Sequence, residues 1–142
     1  MSEQTGTFYA VSVGPGDPEL LTLQAVRVLE NTPVIAAPQT ASGQMLALDI
    51  ARGAVDLTGK SVLPLRFTMS HDAAVWAESY RAAASAVEAE LRQGRDVAMV
   101  NLGDVSLFAT AYYIFAEIER DGFPARMLPG VTSVAAVAAR LG

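Results

Sequence analysis

Three short glycine-bearing stretches carry the residue types from which a ligand site can be made. They are Gly14-Pro15-Gly16-Asp17-Pro18, Leu102-Gly103-Asp104 and Pro129-Gly130-Val131-Thr132-Ser133. Glycine reaches φ values closed to other residues and leaves no side chain between backbone and ligand. In the first stretch Pro15 stiffens the turn and removes a backbone donor. Asp17-Pro18 reads as a helix start, a carboxylate cap followed by proline at the first helical position. A phosphate loop leaves that helix end open, so that N–H groups meet the anion. Here Asp17 places its own negative charge there and no lysine follows, which disfavours a diphosphate. A ligand offering hydroxyls, an ammonium or a sulfonium suits the turn better. Taken alone, the stretch reads equally well as a plain turn.

The other two stretches leave similar choices open. Asp104 has the chemistry to accept hydrogen bonds from a ribose or an ammonium, and equally to cap the helix after it. Thr132 and Ser133 offer hydroxyl and N–H groups to a ligand, although their spacing favours capping. His71 is the only histidine. It has no partner at i+4, so no metal site is expected; a surface position is, with general-base work as the lesser alternative. Arg66-Phe67-Thr68-Met69 follows a strand and is placed either to touch an acidic substrate or to form an ordinary surface loop. Trp76 and Tyr80, four apart, read as core, and of Tyr112-Tyr113 at most one can face a ligand. There is no Ser/His/Asp set, Walker lysine or paired-carboxylate motif, so no catalytic residue is nominated.

The elements that must position these turns alternate along the chain. Phe8 to Val13 has strand composition, and Leu20 to Leu29 carries a helical stripe of Leu21, Ala25, Val28 and Leu29, with Asp17 and Thr22 as competing caps. Val34–Ala37 is a wholly apolar strand of the kind covered on both faces. A loop over 38–43 and a helix from Gln44 to Ala51 follow. Ser61–Leu65 is a strand whose Pro64 suggests an edge position. Ser70 to Gln93 is the longest helix, with Ser70 as its cap and Gly94 as its stop. Asp96–Val100 is a buried strand, then come a helix from about Val105 to Asp121, a strand at Ala125–Leu128 and a last helix from Val131 to Leu141. This predicts a three-layer α/β/α domain around a mainly parallel five-stranded sheet. All three glycine turns then leave strands at the same edge, where such sheets bind ligands.

Composition narrows the function classes. The chain has 142 residues, of which 51% are hydrophobic and 18% charged. That composition and length fit one folded domain over 1–142. No apolar run reaches the length of a membrane span. The polar start Met1-Ser2-Glu3-Gln4 does not read as a signal peptide, so a cytoplasmic location is expected. The absence of cysteine removes disulfides, thiolate metal sites and a catalytic thiol. A net charge of −5 argues against nucleic acid as a partner.

At these residues the chain resembles the S-adenosylmethionine-dependent tetrapyrrole methyltransferases. The resemblance runs from Tyr9 to Gly142. It rests on Val13-Gly14-Pro15-Gly16-Asp17-Pro18-Glu19-Leu20-Leu21-Thr22, on Gly103-Asp104-Val105-Ser106-Leu107-Phe108-Ala109-Thr110, and on Pro129-Gly130-Val131-Thr132-Ser133. Within the family, Phe67-Thr68-Met69-Ser70-His71-Asp72 followed by Trp76 is similar to the branch that methylates C20 of precorrin-2 in cobalamin synthesis. The resemblance implies S-adenosyl-L-methionine as cofactor, a small-molecule tetrapyrrole substrate and a homodimer. It implies that Pro15 and Gly16 pack on the cofactor, that Leu102, Gly103 and Asp104 hold its polar groups, that Leu107 lies against the adenosyl part, and that Thr132 and Ser133 close the site. The family's usual Gly-Asp-Pro reads Gly103-Asp104-Val105 here, and Thr68 stands where proline is usual. It also implies a second domain forming the other wall of the cleft, so that these 142 residues alone are not expected to catalyse. The competing readings are another family member with a different ring carbon or substrate, and a non-catalytic cofactor-binding or dimerisation module.

Overall fold

The computed structural model describes residues 4–67, 72–102, 109–131 and 138–139. The strands are β1 (Phe8–Ser12), β2 (Val34–Gln39), β3 (Ser61–Arg66), β4 (Val97–Asn101) and β5 (Ala125–Leu128). The α-helices among them are α1 (Leu23–Asn31), α2 (Leu46–Arg52), α3 (Ala73–Arg92) and α4 (Ala109–Arg120). The strands form one sheet in the order β3-β2-β4-β1-β5, and every neighbouring pair is parallel. The expected α/β/α architecture is therefore present, with the sheet wholly parallel among the described residues.

The alternation of side chains along β4 builds the two halves of the core. Val97 and Met99 face one side, with Leu65, Tyr80, Val87, Leu91, Ile114 and Ile118. Ala98 and Val100 face the other, with Ala25, Leu29, Leu48 and Ile50. All five β4 residues are buried, as a strand covered on both faces requires. Leu29 and Leu48 are completely buried. Truncating either to alanine would cost about 2–5 kcal/mol. α1 and α2 thus cover one face of the sheet, α3 and α4 the other.

Several local boundaries depart from the sequence expectation. Asp17 and Thr22 do not compete, because each caps its own helix. Asp17 starts a 3-10 turn over Pro18–Leu20, accepting from the Glu19 N–H, and Thr22 Oγ1 accepts from the Ala25 N–H at the start of α1. The loop expected from Pro38 is still strand as far as Gln39. Pairing of β2 with β4 stops at Ala36, so Pro38 lies where only β3 still flanks it, and a missing N–H is tolerated there. The cap of α3 is Asp72, whose carboxylate accepts from the Ala74 N–H, rather than Ser70, which lies outside the described residues. Val131 is not helical, and of the last expected helix only 138–139 are described. Pro64 does sit on an edge strand.

Candidate site at the carboxyl edge of the sheet

The three strands that carry the glycine turns are neighbours, with β1 flanked by β4 and β5. Ser12, the last residue of β1, is in register with Asn101, the last of β4, and Val11 is in register with Leu128, the last of β5. The turns therefore leave the sheet side by side and at nearly one level. The chain after β1 passes to the α1 face and the chain after β4 to the α4 face. Adjacent strands whose connections diverge in this way open a crevice between their carboxyl ends.

Polar groups lock this edge. The Val13 N–H donates to the Asn101 carbonyl at 2.8 Å, continuing the ladder past the end of β1. Ser12 Oγ donates to the Leu128 carbonyl at 2.9 Å, and Asn101 Nδ2 donates to the Met99 carbonyl at 3.0 Å. Ser12 and Asn101 are both buried. Sequence reasoning missed these two residues. The available signal was a polar residue at the last position of two otherwise apolar strands.

Of the expected site residues, Pro15, Gly16 and Leu102 are described. Gly14, at φ +79°, turns the chain back so closely that an added Cβ would lie 3.3 Å from Leu20 Cβ. Pro15 is half-buried on that turn and Gly16 is exposed. An added Cβ at Gly16 would meet nothing within 4 Å, so the first turn presents bare backbone to open space. Leu102 is 37% exposed, an apolar side chain left beside the crevice. Gly103, Asp104, Leu107, Thr132 and Ser133 lie outside the described residues, as does His71.

The chemistry of this edge suits a cationic nucleoside. Asp17 and Thr22 occupy N–H groups of the two helical turns that follow β1, so neither turn offers an open N-terminus to an anion. Bare backbone at Gly16, the apolar Leu102 and the nearby carboxylates of Asp17 and Glu19 fit an adenosyl sulfonium.

Phe67, Trp76 and Tyr80 belong to the half of the core under α3 and α4. Tyr80 is buried and stacks edge-on against Trp76 at 4.3 Å, with Phe67 at 5.2 Å on its other side. Trp76 is only half-buried, because it also borders a cleft of about 210 Å³ between α3 and α4 together with Tyr113 and Arg120. Tyr112 and Tyr113 are both exposed, and Tyr113 packs edge-on against Trp76 at 5.1 Å. No group of His, Cys, Asp and Glu with metal-ligand geometry occurs among the described residues.

The fold defines a parallel α/β domain whose candidate site is the crevice at the carboxyl ends of β4, β1 and β5. The chain belongs to the Tetrapyrrole (Corrin/Porphyrin) Methylases, whose family model matches residues 7–142. It is 39% identical over 140 residues to the cobalt-precorrin-2 C(20)-methyltransferase of Salmonella typhimurium, covering 95% of this chain and 56% of that enzyme. It is 29% identical over 138 residues to the precorrin-2 C(20)-methyltransferase of a Sinorhizobium species, covering 91% of this chain and 55% of that enzyme. The chain thus spans a little over half the length of these relatives. Among solved structures, a cobalt precorrin-4 methyltransferase superposes with a TM-score of 0.68 over 94% of this chain and 49% of the other; at 23% identity this speaks for the fold alone. The uroporphyrin-III C-methyltransferase of Thermus thermophilus, complexed with S-adenyl homocysteine, superposes with a TM-score of 0.65 at 26% identity. That match covers 94% of this chain and 48% of the other.

Proposed function

We propose that the polypeptide containing this chain transfers a methyl group from S-adenosyl-L-methionine to C20 of precorrin-2 or cobalt-precorrin-2. One observation carries the proposal: the three strands that lead into the glycine stretches are adjacent and parallel and end at nearly one level, in a chain of the tetrapyrrole methylase family that is 39% identical to a cobalt-precorrin-2 C(20)-methyltransferase. The bound cofactor supplies an activated methyl group on its sulfonium, so the protein needs no strong nucleophile. As the resemblance implies, Pro15 and Gly16 would pack on the cofactor, Leu102, Gly103 and Asp104 would hold its polar groups, Leu107 would lie against the adenosyl part, and Thr132 and Ser133 would close the site. The work left to these residues is to hold the methyl carbon in line with the ring carbon and exclude water. Orientation of this kind lowers a barrier by roughly 7–11 kcal/mol. In such a transfer the S–CH3 bond would break as the C20–CH3 bond forms, S-adenosylhomocysteine would leave as the neutral thioether, and the C20 proton would pass to a base or to solvent. As the family resemblance implies, a second domain would form the other wall of the site and the complete polypeptide would be a homodimer.

The test is incubation of the complete polypeptide with precorrin-2 and methyl-labelled S-adenosylmethionine, followed by NMR of the product. The expected label is at C20. A label at another carbon would make this a sister enzyme, and failure to bind S-adenosylhomocysteine in calorimetry would make it a non-catalytic module.

A further inference from the structure

We propose that Arg66, aimed by Gln39, is the group by which this domain grips a carboxylate of its acidic tetrapyrrole substrate. The inference rests on the methyltransferase reading above. Arg66 ends β3 and is in direct register with Gln39, the end of β2. Its Nε donates to Gln39 Oε1 at 3.1 Å, and Gln39 Nε2 donates in turn to the Gly43 carbonyl at 3.1 Å. The amide is thus oriented from both ends, and it fixes the guanidinium by one nitrogen. That bond uses Nε, and the two terminal nitrogens make the planar fork that matches a carboxylate. Phe67, packed against Tyr80, anchors the next residue. Arg66 is exposed, and the ion pairs among the described residues engage Arg52, Arg81, Arg92, Arg95 and Arg120 instead.

The distribution of charge along the carboxyl edge gives this arginine its meaning. No other lysine or arginine ends a strand or occurs in the segments that follow the strands, 13–22, 40–45, 67–72, 102–108 and 129–137. Those segments hold Asp17, Glu19, Asp72 and Asp104. Asp72 directs a carboxylate oxygen to the Ala74 N–H at the start of α3. An edge otherwise acidic suits a sulfonium and repels a ligand ringed with carboxylates. Arg66 is the one lysine or arginine in these strand ends and segments that can attract such a ligand. β3 lies two strands from β4 and three from β1. At the usual spacing between strands these steps are roughly 10 Å and roughly 14 Å across the sheet. That separation sets Arg66 beyond the nucleoside crevice, where the outer side chains of a large macrocycle reach.

The experiment uses the complete polypeptide and its Arg66→Ala, Arg66→Lys and Gln39→Ala variants. Arg66→Ala is expected to raise KM for precorrin-2 by about tenfold or more, as loss of a charge-assisted hydrogen bond does, with kcat within about twofold. Arg66→Lys should fall between, because it keeps the charge and loses the fork, and Gln39→Ala should raise KM by a few-fold. Uroporphyrin, a carboxylate-bearing porphyrin, serves as an equilibrium probe, and its affinity should fall in parallel while S-adenosylhomocysteine binds as in the parent. An unchanged KM and porphyrin affinity would make Arg66 a guard of the open sheet edge and overturn the proposal. A matching loss of S-adenosylhomocysteine affinity would also overturn it, by assigning the guanidinium to the cofactor's carboxylate. If the parent enzyme leaves precorrin-2 unmethylated, the proposed function fails, whereas the porphyrin titration still decides the role of Arg66.

Discussion

Replacing Glu88 with glutamine should make the protein more stable at pH 8 and leave it nearly unchanged at pH 5. Glu88 lies on α3, only 5% exposed, facing the end of α4. Arg92 Nη2 donates to its Oε1 at 3.5 Å, while Oε2 has no hydrogen-bond partner among the described residues. Loss of water on burial, and then the adjoining Asp121 carboxyl, push its pKa from 4.5 up to about 7; Glu117 adds to the rise and Arg92 opposes it. The native state therefore holds this proton more tightly than the unfolded chain does. Stability from this group is fully present below about pH 4.5 and is lost as pH rises to about 7. At about 1.4 kcal/mol per pH unit, the loss is on the order of 3 kcal/mol. The competing gain is the ion pair with Arg92, whose side chain is 62% exposed. Such a pair contributes about 0.5 kcal/mol at most. Desolvation wins. Glutamine keeps the shape, can donate to Asp121 and still accepts from Arg92, so Glu88→Gln should gain roughly 1–3 kcal/mol at pH 8. Urea denaturation of both proteins at pH 5, 6, 7 and 8 measures the difference directly. A variant less stable than the parent at pH 8, or a difference that does not change with pH, would refute the reasoning.

Alanine at position 14 would be strained at φ +79°, and its Cβ would crowd Leu20. Gly14→Ala should therefore lower stability by about 1 to about 2 kcal/mol, read as a fall in Tm. Gly16 has φ +155° with open space where a Cβ would stand. Gly16→Ala should lower stability by about 1 kcal/mol or less but weaken S-adenosylhomocysteine binding by about tenfold. Undiminished binding in calorimetry would remove Gly16 from the site. Ser12→Ala removes the buried bond to the Leu128 carbonyl. It should cost about 1–3 kcal/mol in urea denaturation, and a cost near zero would show that β5 is held without it.

The parallel sheet was legible because its strands are short apolar runs separated by helical periods, and the edge position of β3 was legible in Pro64. The locks at the carboxyl edge were not. Ser12 sits inside Tyr9-Ala10-Val11-Ser12-Val13, where one serine looks like half-exposed alternation, and its partner Leu128 is 116 residues away. Nothing local announces such a bond. Glu88 was visible in principle, since it shares the stripe of Ala84 and Leu91 on α3, but its environment depends on Asp121 from a different helix end. Pro38 misled because a proline normally ends a strand, and only the early end of the β2–β4 ladder makes room for it. For the candidate site, residue types marked the three glycine stretches and topology supplied the adjacency of the strands that carry them. The pairing of Gln39 with Arg66 needed the register of β2 on β3.

The position of β1 in the sheet also governs how the molecule comes together. Within this chain β1 is made well before either of its neighbours, which begin only at Val97 and Ala125. Until then a nascent chain holds an apolar strand with both backbone edges open, the condition that slows folding and invites pairing with other chains. The crevice exists only once β4 and β5 have closed on β1 from either side. Under the function proposed above, ligand capture would be a readout of completed folding, and a cofactor present during synthesis would stabilise finished molecules and none of their precursors.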